Sequence, residues 1–340
     1  MRRIATVVLV LLLVVIGAYT ALWFFIAHRM ADEIAQWAAR ERPDRLDVSW
    51  DTLRVRGYPL AFRIEASGIR FRDLMPGRAI QARVPLLKAT ARPWDFRSWA
   101  IDVPGGLSAT IGPAETPRAR LTVQTVAGEA VIDAESDIAV TLDLTHPVFD
   151  AGERIAARAA TISVAVPPEP PRTHTEPALS LAVEAADVQL PKPVIPAPFR
   201  DTLDTLEFDL TVLGPVPNRP PRQTAEAWRD AGGTMEIEKI AARSGDLAIE
   251  GSGTFAFDRE LQPEAAFSGS VQGYDTLIAG LGEAGILPPG GSALARLGLS
   301  LFAKPGARGQ PQIKTSFTIQ DGEMALGPIS LGSAPRIAWE

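Results

Sequence analysis

Apolar residues run unbroken at the start of the chain and alternate with polar ones almost everywhere after it. Ala5–Ala27 (ATVVLVLLLVVIGAYTALWFFIA) contains no charged side chain. As a helix it extends about 34 Å, enough to cross a hydrocarbon core. The run is longer than the apolar core of a cleaved signal peptide. Its distal end (Leu22, Trp23, Phe24, Phe25, Ile26) is bulky where a cleavage site needs small residues. An uncleaved anchor over 5–27 is therefore expected, after a cytoplasmic tail of residues 1–4. Arg2 and Arg3 precede it, while His28, Arg29, Asp32 and Glu33 follow, so the cationic excess favours a cytoplasmic N-terminus. The rest is expected outside the cytoplasm, in the periplasm of a cell with an outer membrane.

Residues 28–43 continue the helical pattern as a stalk. Ile34, Trp37 and Ala38 share one face and can pack on the domain base, and Pro43 stops the helix. From residue 44 to 340 the period is two. In 47–71 (DVSWDTLRVRGYPLAFRIEASGIRF) the alternating pairs are Val48/Trp50, Leu53/Val55, Leu60/Phe62/Ile64 and Ile69/Phe71. The phase changes between Trp50 and Leu53 and again at Ser67–Gly68, which predicts turns or bulges there. Arg54, Arg56, Arg63 and Arg70 fill the polar positions and read as a solvated face, with an anionic-lipid contact as the alternative. Pro93–Trp99 (PWDFRSW) reads as an aromatic loop plugging one end of a core, with a carbohydrate or lipid platform as the alternative.

Further alternation covers Ile138–Leu144, Leu179–Val183, Leu206–Val212, Met235–Ile237, Leu247–Ile249, Phe255–Phe257, Leu297–Leu301, Ile313–Ile319 and Met324–Leu331. Proline-rich stretches (166–171, 191–198, 214–221) separate some of these strands. Gly251-Ser252-Gly253 reads as a turn, as does Asp258-Arg259-Glu260. Short helices are expected at Thr224–Ala231, capped by Thr224 and anchored to the sheet by Trp228, and at Asp275–Leu281, capped by Asp275. The fold class is thus mostly β: an anchor helix, then about 15 strands in a mostly antiparallel sheet with a few short helices. So large a sheet curls or splits into a sandwich.

Composition narrows the function. Net charge is −6 with pI near 5.3, which argues against nucleic acid. There is no cysteine, so disulfides, thiolate metal sites and cysteine nucleophiles are excluded. His28, His146 and His174 are far apart in sequence and show no metal-binding spacing. There is no nucleophile elbow and no phosphate loop. Asp201/Asp204 and Asp133/Glu135/Asp137 are carboxylate groups of the kind common on solvated faces. The expectation is no catalytic residue, no metal, no cofactor and no enzyme.

The anchor followed by 47–71 resembles a family of uncharacterised membrane-anchored proteins from alphaproteobacteria, whose domain opens with a "W…L.V.G.P" stretch and an amphipathic strand. Residues 233–273 and 322–331 resemble AsmA-like envelope proteins in their glycine-punctuated rhythm. That resemblance implies an inner-membrane anchor, a curled periplasmic sheet and an apolar groove that binds or passes phospholipid, in service of envelope lipid homeostasis. This chain is shorter than the envelope-spanning members. The residues expected to face lipid are Phe208, Phe255, Phe257 and Phe317. The partners expected are the inner membrane, phospholipid and other envelope proteins, without nucleic acid. The alternative function is a non-catalytic structural or assembly protein of the envelope.

Overall fold

The computed structural model describes residues 2–41, 46–73, 79–113, 116–132, 137–191, 202–217, 219–273, 275, 278, 304–305, 311–327 and 329–339. The run without charges and the stalk beyond it form one helix, α1 (Arg2–Glu41). Its first part exposes its apolar side chains, Val7, Leu11 and Val14 among them. By length and composition it can cross a membrane. From Trp23 onward one face docks on the sheet, with Trp23, Ala27 and Ala38 buried. Ile34 is half-buried on that side, whereas Trp37 is exposed.

The strands are β1 (Leu46–Ser49), β2 (Thr52–Arg56), β3 (Phe62–Asp73), β4 (Ile80–Arg92), β5 (Asp95–Val103), β6 (Leu107–Ile111), β7 (Ala119–Val123), β8 (Thr125–Ile132), β9 (Ile138–Thr145), β10 (Val148–Asp150), β11 (Arg154–Ala156), β12 (Ala159–Val166), β13 (Pro177–Gln189) and β14 (Thr202–Leu213). After helix α2 (Pro221–Asp230) come β15 (Thr234–Ser244), β16 (Leu247–Phe257), β17 (Pro263–Gln272), β18 (Lys304–Pro305), β19 (Pro311–Gln320), β20 (Glu323–Leu326) and β21 (Ile329–Ser333). They form one antiparallel sheet. Directly opposed residues share a face. One such rung crosses ten strands, from Val55 through Ile64, Ala89, Ile101, Gly128, Leu142, Ile162, Val183 and Phe208 to Ile240. This apolar face is continuous. The other face is polar, with Thr161 donating to Asp143 at 2.7 Å and Lys239 paired with Glu207.

Among the described residues twenty-one strands appear where alternation predicts about 15, because a crease splits many of them. It runs through the breaks β1/β2, β5/β6, β7/β8, β9/β10 and β11/β12 and through Gly68 in β3 and Asp187 in β13. Backbone hydrogen bonds continue across it: Gln124 N–H to the Thr145 carbonyl (3.0 Å), His146 to Arg158 (2.9 Å) and Arg158 to Ala186 (3.1 Å). Four crease residues hold left-handed backbone: Gly68, Gly106, His146 and Asp187. The phase shifts at Trp50–Leu53 and Ser67–Gly68 lie on this line.

Apolar residues change phase where they cross it. Leu87 and Val84 are three apart, as are Val126 and Val123, so in a flat strand each pair would point to opposite faces. Yet all four join one cluster, with Val103, Val123, Val126 and Leu144 buried and Leu107, Leu121 and Ile162 packed around them. The short limb (β6, β7, β10) therefore folds its apolar side onto that of the long limb (β5, β8, β9, β12).

Several expectations change here. Gly251–Gly253 lies inside β16, not in a turn, because a side chain at Gly253 would meet the Ala266 carbonyl at 2.2 Å and the Phe267 ring at 2.6 Å. Asp258–Glu260 is a turn, closed by the Leu261 N–H on the Asp258 carbonyl. α2 begins at Pro221 rather than at Thr224, because proline suits the first helical position, and the Thr224 hydroxyl donates instead to the Arg219 carbonyl. Of the helix expected at 275–281, only Asp275 and Ile278 are described, both helical. The strand expected at 297–301 and most of the 191–198 loop lie outside the described residues.

Candidate functional site

Phe208, Phe255, Phe257 and Phe317 all lie on the apolar face, although they come from three strands spread over more than 100 residues. Register connects them. Phe208 opposes Ile240, and Ile240 opposes Gly251 across a bulge at Glu238–Lys239. Gly251, Gly253, Phe255 and Phe257 then follow at period two along β16. Phe255 opposes Ala265, and Phe267, two residues on, opposes Phe317. All four phenylalanines are half-buried.

Their surroundings differ. Phe257 belongs to an aromatic plug at one end of the face. It meets Trp228 of α2 edge-on at 5.9 Å, Trp339 at 5.5 Å and Phe255 at 5.2 Å. The Trp228 indole donates to the Leu213 carbonyl (2.7 Å), and that of Trp339 to Leu261 (2.9 Å). α2 stands over Val212, Met235 and Phe257, beside an apolar cavity of about 320 Å³. Past Phe257 opens a cavity of about 870 Å³ with a mixed lining, Arg229, Arg259, Glu260 and Arg336 beside Phe257, Pro263 and Ala334. Phe317 instead packs on Phe267 at 6.3 Å. Alternation marks Phe267 as a strand residue; only register shows that it pairs with Phe317. Trp228 anchors its helix to the sheet as expected, whereas Trp339, from the C-terminal tail, carries no periodic signal that places it on this face.

The opposite end of the face is covered by α1. Trp23 stacks on Phe62 at 4.9 Å and 8°, with Ala27, Ile26, Met30 and Val55 around them. The Trp23 indole N–H is buried without an acceptor among the described residues. Pro93–Trp99 is not a plug. Pro93–Trp94 is the β4–β5 turn, Phe96 packs on Phe62 at 5.3 Å, and the Trp99 indole donates to the Phe96 carbonyl.

Perturbed ionisation lies elsewhere. In the β12–β13 loop, the Arg172 N–H donating to Glu176 (2.6 Å) holds that carboxyl below its ordinary range. On the polar face, the hydrogen bond to Glu207 raises the Lys239 ammonium. Among the described residues no group of three or more His, Asp or Glu side chains is placed to hold a metal ion. His28 Nδ1 sits on the Phe24 carbonyl, and His146 lies in the crease. Asp204 accepts the Gly245 N–H; Asp201, Asp133 and Glu135 lie outside the described residues. Among the described residues the four phenylalanines share one apolar sheet face, closed at one end by the aromatic plug around Phe257.

No curated protein and no solved structure matches the chain. Residues 23–335 match a family described as an uncharacterized protein conserved in bacteria (DUF2125), and the chain belongs to that family.

Proposed function

We propose that this family member is a non-enzymatic, inner-membrane-anchored envelope protein whose sheet holds lipid acyl chains on its apolar face. α1 is the anchor, with Arg2 and Arg3 on the cytoplasmic side and the sheet in the periplasm. The AsmA-like rhythm of residues 233–273 supports the same reading. The observation that carries it is the unbroken apolar rung from Val55 to Ile240. It starts beneath the helix that enters the membrane and continues through half-buried Phe208 toward Phe267 and Phe317. Half-buried aromatic residues along a sheet face offer an acyl chain dispersion contacts and removal from water.

The test is a photoreactive phenylalanine analogue placed singly in the full chain in its native membrane. It goes at Phe208 and Phe317, and on the opposite face at Glu207 and Ser316. Mass spectrometry of the adducts is expected to show phospholipid at Phe208 and Phe317 only. Equal labelling at all four positions, or none, sinks the carrier reading.

The first half of the sheet supports a second reading, a structural or assembly protein. There Val103, Val123, Val126 and Leu144 fill the space between the limbs with protein. Protein adducts in place of lipid at Phe208 and Phe317 would favour it.

A further inference from the structure

Two neighbouring turns stand where α1 passes the edge of the sheet. The β2–β3 turn (57–61) is bound to the helix: the Tyr19 hydroxyl donates to the Pro59 carbonyl, and the Thr20 and Tyr58 hydroxyls share a hydrogen bond of 2.6 Å. Tyr58 also stacks on Phe24 at 5.7 Å. The β4–β5 turn lies beside it, since Phe62 opposes Ala91 across the strands that lead into the two turns. Tyr19–Phe24 belongs to the last stretch of the charge-free run, about 4–12 Å before its end at Ala27. A bilayer spanned by residues 5–27, with its boundary at Ala27, therefore takes these turns in to about that depth.

What the turns present suits that boundary. Leu60 is 68% exposed and Trp94 is 69% exposed, the highest values among the described large apolar side chains outside α1. Behind them stand four exposed arginines, Arg56, Arg63, Arg92 and Arg97, against Glu65 and Asp95. Turns farther along the same edge differ: the β12–β13 loop carries Glu169, Arg172 and Glu176, and the β16–β17 turn carries Asp258, Arg259 and Glu260. Apolar tips with a cationic collar match a lipid surface with anionic headgroups.

We propose that the β2–β3 and β4–β5 turns form a second membrane contact, with Leu60 and Trp94 in the headgroup–acyl boundary and the four arginines at the level of anionic phosphates. The inference rests on the reading of α1 as an anchor. The contact sets the sheet against the bilayer and turns the α1 end of the apolar face toward the lipid.

The absence of cysteine allows single-site labelling of the full chain. L60C, W94C, E169C and L13C each carry an environment-sensitive fluorophore in vesicles of phosphatidylcholine and phosphatidylglycerol with a nitroxide-labelled lipid as quencher. Quenching at positions 60 and 94 is expected to approach that at 13 and to exceed that at 169 several-fold. Quenching at 13 but not at 60 and 94 overturns the contact and leaves the anchor standing. No quenching at 13 overturns the anchor reading and the contact with it. R92E/R97E is expected to reduce quenching at 94 several-fold without changing it at 13; an unchanged signal overturns the role given to the arginines.

Discussion

Val126 in β8 and Phe317 in β19 come from the same apolar face, yet the valine is 2% exposed and the larger phenylalanine only half-buried. The difference lies in the sheet around them. In the first half, strands reverse their apolar phase at the crease, and the short limb brings Leu107, Leu121 and Val123 onto Val103, Val126 and Leu144. In the second half, β16, β17 and β19 keep one phase from end to end, and β15 absorbs its irregularity in a bulge. Among the described residues no second limb stands over Phe208 or Phe317. Burial here follows from whether the sheet doubles back, not from how apolar the residue is.

The strongest way to break this comparison is to block the crease. Gly106 has left-handed backbone, and a side chain there would meet the Val123 carbonyl at 1.9 Å. Gly106→Val is expected to cost about 4 kcal/mol, from backbone strain together with the clash. Gly322→Ala in the second half, with nothing within 4 Å of the added carbon, should cost only about 1 kcal/mol. Thermal melts of the full chain in detergent compare them; equal losses would deny the crease its special role.

α1 adds a second hold on the first half. Trp23→Ala is expected to cost about 3 kcal/mol and to speed amide exchange in β2 and β3 but not in β17 and β19. Trp23→Phe keeps an aromatic ring on Phe62 and removes an indole N–H with no acceptor, so it should melt at or near the wild-type temperature. Uniform acceleration of exchange in the alanine variant would show that the two halves are not separable.

The core substitutions sharpen the contrast directly. Val126→Ala should lose about 2 kcal/mol, and Phe317→Ala about 1 kcal/mol despite its larger side chain. A reversed order, read from the same melts, would mean that the second half is as closed as the first.

The smallest effect belongs to an exposed loop outside both limbs. Glu176 has a folded-state pKa below its ordinary 4.5, so its ionised form supports the β12–β13 loop. That support is present above the ordinary value and is lost as the pH falls through the lowered one. Glu176→Gln should lower the melting temperature slightly at neutral pH and not at strongly acid pH. A constant offset across that range would assign the effect to something other than the carboxylate.

The charge-free helix and the mostly β fold were legible, as was the placement in strands of the four phenylalanines, because each depends on residues close together in the chain. Two crease points were legible for the same reason, at Trp50–Leu53 and Ser67–Gly68. The others were not. At Val123–Val126 and Val84–Leu87 the shift is short and looks like noise until register aligns it with its neighbours. Gly251–Gly253 misled because glycine serves both turns and close approach between strands; here it makes room for Phe267.

The amino-acid sequence by itself determined which segments alternate, where the long apolar run lies and what chemistry the cysteine-free composition excludes. The tertiary structure alone decided which side of each strand is covered. It aligned the phase shifts into one crease, set Phe267 against Phe317, laid Trp23 on Phe62 and held the Tyr58–Leu60 turn at Tyr19. The physical reason is range. A period of two is a property of neighbouring residues, whereas facing and covering depend on pairings between strands far apart in the chain, which no local pattern records.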